Sequence, residues 1–207
     1  MTAPKRILVV DHDPDVHRVL QATLEAPNRQ IDHAYEVPSA LERVETEVYD
    51  LVLVDLNLSA PDGPGLVEKI RKRRLAAQIV VLSDGGSPEC VLKALRHRAF
   101  ACLRKPLTPC AVAEMVSNAL HDPAPEDDIE VVSALPNWLS VRLRCRMQTA
   151  DRLLHFLNEL GADLPPAERD NIVAAVREIL VNAIEHGCRS DPAKKVSITY
   201  LDRKSVV

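Results

Sequence analysis

Three short apolar runs, Ile7–Val10, Leu51–Val54 and Ile79–Leu82, constrain this chain more than any other feature. Each is rich in β-branched residues, and none alternates with polar ones. A strand with one wet face alternates. A strand covered on both faces does not, and that is the pattern of a parallel sheet sandwiched by helices. Helical patterns lie between and after the runs. Val16, Val19, Leu20 and Thr23 follow Pro14; Ala40, Leu41 and Val44 follow Pro38; Leu66, Val67 and Ile70 follow a Pro/Gly turn. Val91, Leu92 and Leu95 follow Pro88; Val112, Met115, Val116 and Ala119 follow Pro109. Each pattern repeats every three or four residues and begins near a proline, whose fixed φ and missing N–H suit the first helical turn. Weaker strand patterns at Gln30–Ala34 and Ala99–Leu103 complete five βα units, so residues 1–120 predict an α/β domain with an open, doubly wound five-stranded parallel sheet.

The segment HDPAPEDDIE, residues 121–130, carries two prolines and five acids and reads as a linker. Residues 131–207 then follow a different, α+β pattern. Val141, Leu143 and Cys145 alternate with Arg142, Arg144 and Arg146, as in a half-exposed strand. Thr149 is placed to cap a helix running to about Leu160, with Gly161 as its stop. Pro165-Pro166 opens a second helix to His186, stopped by Gly187, and Val196–Leu201 reads as a strand.

Composition narrows the function. Lys plus Arg is 26 and Asp plus Glu is 30, a net charge of −4, which argues against a nucleic-acid binder. The run Arg71-Lys72-Arg73-Arg74 sits where a helix ends, and positive side chains suit that end of the dipole. Aromatics are 3%, too few for a base-stacking platform. The five cysteines, Cys90, Cys102, Cys110, Cys145 and Cys188, contain no CxxC pair and read as buried, reduced thiols. The first apolar run is too short for a signal core or a membrane span, so the expected location is cytoplasmic, without membrane contact.

In open α/β sheets, sites form at the carboxyl edge of the strands. After the first run stand Asp11, His12 and Asp13; after the second, Asp55; after the third, Ser83 and Asp84; after the fifth strand, Lys105 and Pro106. Carboxylates gathered at one edge repel one another unless a hard cation lies among them, and Mg²⁺ is suited to one or two carboxylates plus phosphate oxygens and water. A hydroxyl and an ammonium opposite the cation are equipped to hold a phosphoryl group.

The segments ILVVDHD, LVLVDLNLSAPDG, VVLSD and LRKP resemble the receiver domain of two-component response regulators. The resemblance covers about residues 4–120 and implies a flavodoxin-like fold. It implies that Asp55 accepts the phosphoryl group, delivered by a sensor histidine kinase. It also implies that Asp11, Asp55 and the backbone carbonyl of Asn57 hold Mg²⁺ (or Mn²⁺), with His12 or Asp13 as a further candidate ligand. Ser83 takes the hydroxyl position and Lys105 the phosphate-pairing lysine, with Lys105-Pro106 matching the family's cis peptide. Two positions depart from the family. His12 stands where a second acid is usual, and imidazole suits transition metals better than Mg²⁺. Cys102 stands where a switching aromatic is usual; Phe100, two residues away, faces the same side of the strand. Asp11-His12-Asp13 also resembles the DxD nucleophile motif of haloacid-dehalogenase-type phosphatases, with Asp11 as nucleophile and Asp13 as acid/base. That alternative leaves Asp55 without a role.

In the second segment Glu178, Asn182 and His186 are spaced by four and share a helix face, beside an expected core stripe of Ile172, Ala175, Val176, Ile179 and Ala183. REILVNAIEHG resembles the N-box of the histidine-kinase-like ATPase fold, especially the anti-sigma-factor serine kinases. The resemblance implies a Mg²⁺-holding Asn182, a general base Glu178 and a phosphate-side His186. The adenine-recognising Asp-x-Gly-x-Gly motif is absent, and no glycine follows Gly187, so tight ATP binding is not expected. The expectation is a response regulator with output through a sigma/anti-sigma or serine-kinase partner. The alternative is a phosphorylation-independent docking or homodimerisation module.

Overall fold

The computed structural model describes residues 3–58, 63–72, 77–84, 88–121, 128–135, 138–161 and 164–201. Two compact units emerge, one of residues 1–85 with 99–123, the other of residues 86–98 with 124–207.

The first unit contains β1 (Lys5–Val10), α1 (Pro14–Leu24), β2 (Arg29–Ala34), α2 (Val37–Thr46), β3 (Leu51–Asp55), α3 (Gly63–Lys72), β4 (Gln78–Ser83), β5 (Ala101–Arg104) and α5 (Pro109–His121). Its five strands form a parallel sheet in the order β2-β1-β3-β4-β5. All four residues of each apolar run are fully buried. Each such side chain contributes roughly 1.5–3 kcal/mol relative to exposure, which is why these runs fix the middle of the sheet. β2 lies at an edge and buries only Ala34, so its sequence carries a weaker apolar signal. α1 starts on Pro14, capped by Asp13, whose carboxylate accepts the Asp15 N–H. α2 likewise carries its proline in the first turn, and α5 begins on Pro109.

The second unit contains α4 (Pro88–Arg96), β6 (Ile129–Leu135), β7 (Trp138–Arg144), α6 (Met147–Leu160), α7 (Pro166–Asn182), a π turn (Ala183–Gly187) and β8 (Lys195–Leu201). The three strands form an antiparallel sheet in the order β6-β7-β8. Val141 and Leu143 of β7 are buried while Arg142 is exposed, matching the alternation in the sequence. α4 packs with this unit, its Arg96 guanidinium donating to the Ala134 carbonyl.

Several expectations are corrected. β6 begins at Ile129, so the last two residues expected in the linker are paired in a sheet; residues 122–127 lie outside the described residues. Arg73 and Arg74 of the basic run also lie outside them. Thr149 does not cap α6, which starts two residues earlier; its hydroxyl is buried inside the helix without a hydrogen-bond partner among the described residues. The predicted core stripe of α7 is displaced. Ile179 is 63% exposed and Ile172 is exposed, whereas Leu180 and Ile184 are buried. Val173, Val176, Leu180 and Ile184 form a second apolar stripe about 100° around the helix, and packing rather than pattern selects between them. Cys145 and Cys188 are not reduced thiols but a disulfide, because the end of β7 and the turn after the π segment bring their Cα atoms to 6.3 Å. Cys110 is exposed rather than buried.

Candidate functional site

Strands β1 and β3 are neighbours, but the chain leaves β1 toward β2 and leaves β3 toward β4. Their carboxyl ends therefore flank the point where the winding reverses, the crevice such sheets use for ligands. Val10 pairs with Val54, so Asp11 and Asp55 emerge at the same level. Both are fully buried. Asp11 Oδ1 accepts the Asp13 N–H at 2.9 Å, and Asp55 Oδ1 accepts the Asn57 N–H at 2.7 Å. These local turns orient both carboxylates and leave an Oδ2 of each facing the crevice.

Lys105 answers them. Its Nζ lies 2.8 Å from Asp11 Oδ2, 2.8 Å from Asp55 Oδ2 and 3.4 Å from Asp84 Oδ1. The contact with Asp55 is a hydrogen bond; Asp11 Oδ2 is ion-paired but accepts no aligned hydrogen bond among the described residues. Lys105 is held by its backbone N–H, which donates to the Ser83 carbonyl at 2.7 Å, and by a cis peptide to Pro106, as the resemblance implied. Burial alone lowers the Lys105 pKa, but the two carboxylates outweigh it and hold the ammonium well above its ordinary value. At Asp84 burial raises the pKa, and the Asn57 hydrogen bond and Lys105 outweigh it, so the net direction is down.

Ser83 ends β4 and is buried. Asn57 follows Asp55 by two residues, and its Nδ2 donates to Asp84 Oδ2 at 2.9 Å. His12 is 60% exposed at its side chain, with Nδ1 3.6 Å from Asp11 Oδ1 and 3.8 Å from Asp55 Oδ2. Asp11, His12 and Asp55 thus offer three ligand atoms within 4.8 Å of one another. Asp13 is occupied as the α1 cap, its Oδ1 2.8 Å from Asp15 N. Cys102 and Phe100 are both buried at β5. In the second unit Glu178, Asn182 and His186 are all exposed, and no described interaction joins them.

Sequence reasoning missed His17. This buried histidine places Nε2 2.8 Å from the Asp11 carbonyl and Nδ1 2.7 Å from His33 Nδ1. The carbonyl only accepts, so His17 Nε2 donates to it, and His33 Nε2 stands 2.9 Å from Gln21 Oε1. Burial, then the neighbouring His17, lowers the His33 pKa. The signal was available: His17 precedes Leu20 by three and Leu24 by seven, on the buried stripe of α1. Asp84 was placed at a strand end without a role, because its bond to Asn57 joins residues 27 apart.

A paired acidic crevice under a cis-held lysine, on a five-stranded parallel sheet, defines a receiver architecture. Residues 7–117 match the family model of the response regulator receiver domain, and residues 141–207 match that of the histidine kinase-like ATPase domain. The chain is 33% identical over 124 residues to the response regulator protein PilR of Pseudomonas aeruginosa, covering 59% of this chain and 27% of that protein. It is 30% identical over 169 residues to the nitrate/nitrite response regulator NarL of Escherichia coli K12, covering 81% and 73%. The transcriptional regulatory protein ZraR of Salmonella typhimurium is 28% identical over 191 residues, covering 89% and 42%. The chain therefore spans 27% and 42% of the first two curated relatives it matches. Among solved structures, a CheY-like receiver domain of Methanospirillum hungatei JF-1 matches with TM-score 0.53 and 28% identity, over 57% of this chain and 94% of that one. A two-component response regulator of Clostridium difficile matches with TM-score 0.54 and 29% identity, over 58% and 99%. The chain belongs to the response regulator receiver domain family and carries a histidine kinase-like ATPase segment after the receiver. Among the described residues, no helix is long and apolar enough to cross a membrane.

Proposed function

We propose that Asp55 accepts a phosphoryl group from the phosphohistidine of a sensor histidine kinase, and that the ATPase-like segment carries the output. The observation that bears most weight is the buried Asp55 carboxylate hydrogen-bonded to Lys105 Nζ at 2.8 Å, with Asp11 alongside. In the transfer, an Asp55 oxygen attacks phosphorus; the O–P bond forms as the P–N bond breaks, and the kinase imidazole departs. Lys105 stands where it offsets the charge of the incoming phosphoryl oxygens, and Ser83 supplies a hydroxyl at the adjacent strand end. Asp11, Asp55 and the Asn57 carbonyl would hold the divalent cation, Mg²⁺ or Mn²⁺, which neutralises phosphoryl oxygens. The two buried carboxylates, facing one ammonium, suit such an ion. The phosphatase alternative is disfavoured, because the Asp13 carboxylate is engaged as a helix cap.

In this reading, residues 1–121 are the receiver and the segment from β6 (Ile129) onward carries the output, acting on a sigma/anti-sigma or serine-kinase partner in the cytoplasm. Glu178, Asn182 and His186, all exposed and not joined to one another by any described interaction, are proposed not to hold ATP tightly in this chain. Calorimetry with ATP and Mg²⁺ tests this, and a micromolar or tighter dissociation constant overturns it. The buried Cys102, in place of a switching aromatic, favours a second reading in which the receiver acts as a docking or homodimer surface without phosphorylation. Acetyl phosphate with Mg²⁺, and in parallel Mn²⁺, followed by intact-mass measurement, separates the two. A stoichiometric phosphoryl adduct that Asp55→Asn lacks supports phosphotransfer. No adduct under either ion supports docking.

A further inference from the structure

We infer that the Asp11–His12–Asp55 crevice is a mixed imidazole–carboxylate site that selects a first-row transition-metal ion over Mg²⁺, with His12 as a direct ligand. The inference rests on reading this crevice as the receiver's cation site and specifies which class of ion it takes.

The donors are in place. Two fully buried carboxylates supply oxygen ligands from adjacent strand ends. Asp11 Oδ2, buried and paired at 2.8 Å with the Lys105 ammonium, already faces a positive charge in the crevice. His12 Nδ1 already stands 3.6 and 3.8 Å from one oxygen of each carboxylate. Ligands about 2.1 Å from a shared ion stand about 3–4 Å apart, so these separations are close to those of one coordination shell. The His12 side chain is largely exposed, leaving the ring room to adjust without disturbing the core. Asp13, the other candidate, is engaged by Asp15 N.

Donor chemistry then decides selectivity. Mg²⁺ is hard, demands near-ideal octahedral oxygen ligation and gives up water reluctantly. A neutral imidazole adds no charge to attract it. Imidazole favours the later first-row ions, whose affinity for a nitrogen-containing site rises along the Irving–Williams series. Exchanging a carboxylate for an imidazole therefore weakens Mg²⁺ and retains the transition ion.

The test uses the full chain with Co²⁺ and Mg²⁺ as probes, titrated separately by calorimetry, and compares His12→Asp. A bound Co²⁺ also reports its ligands: a coordinated imidazole gives a hyperfine-shifted N–H proton that disappears in D₂O. The expected result is a Co²⁺-over-Mg²⁺ affinity ratio that falls by about tenfold or more in His12→Asp, with loss of the shifted proton. Urea midpoints of the two proteins confirm that the variant is folded. A ratio unchanged by His12→Asp, or a shifted imidazole proton that survives it, overturns the inference. The phosphotransfer reading fails separately: metal bound as expected, with no adduct on Asp55 under any of these ions, removes that function and leaves the metal site standing.

Discussion

Replacing Lys105 by Met tests the electrostatics of the crevice most directly. The ammonium lies 2.8 Å from one oxygen of each of two fully buried carboxylates, and its own side chain is only 14% exposed. At an effective dielectric constant of about 20, each contact is a gross attraction of about 6 kcal/mol. Desolvation of all three groups cancels much of this. What remains after deletion is two adjacent buried anions without a cation, and breaking such a buried set costs about 3–5 kcal/mol. Taking about 3 kcal/mol, exchange of the β1 and β3 amides in EDTA should accelerate roughly a hundredfold. These amides belong to central strands of the first unit and read its opening directly. A divalent ion at millimolar concentration substitutes for the missing charge, so the loss should shrink markedly in Mn²⁺. Because the Lys105 pKa is raised, its stabilisation is fully present below the unfolded value and is lost only as pH rises through the higher folded one. The effect should therefore be flat between about pH 6 and pH 9. Unchanged protection in EDTA would falsify the claim that Lys105 neutralises the pair. An equal loss with and without the divalent ion would refute the claim that a cation takes over its role.

Two further expectations concern stability. Asp32 accepts from Arg6 Nη2 at 2.8 Å and from the Tyr49 hydroxyl at 2.9 Å; burial raises its pKa, but these partners outweigh it and lower the net value. Asp32→Asn should cost about 1–2 kcal/mol at pH 7 by urea unfolding. A lowered carboxyl pKa gives stability above the unfolded value that is lost as pH falls through the folded one, so the difference should shrink below about pH 4; a constant difference counts against the ion pair. In α7, Leu180→Ala should cost about 2–5 kcal/mol and Ile179→Ala less than about 0.5 kcal/mol. The reverse order would restore the helix face expected from the sequence.

Much of the receiver was legible because its information is local. Non-alternating runs reveal strands covered on both faces, prolines mark helix starts, and the next residue after each run falls on the carboxyl edge. Asp11, Asp55, Ser83 and Lys105 were found in this way. The second unit was less legible. α7 carries two apolar stripes, and no local rule says which one meets the rest of its unit. His17 hid in an amphipathic pattern, where a histidine on the buried stripe reads as filler until its Asp11 carbonyl partner is known.

Residue order along the chain thus settled the element types, the parallel sheet and the candidate acids, since each depends on periodicity over a few residues. Only the folded chain settled that Lys105 reaches both Asp11 and Asp55, that Asn57 ties to Asp84, that Asp13 is a cap, and that Cys145 meets Cys188. Except for the Asp13 cap, these pairs are separated by 27 to 94 residues along the chain. Their distances are set by strand order, register and packing, which no window of sequence contains.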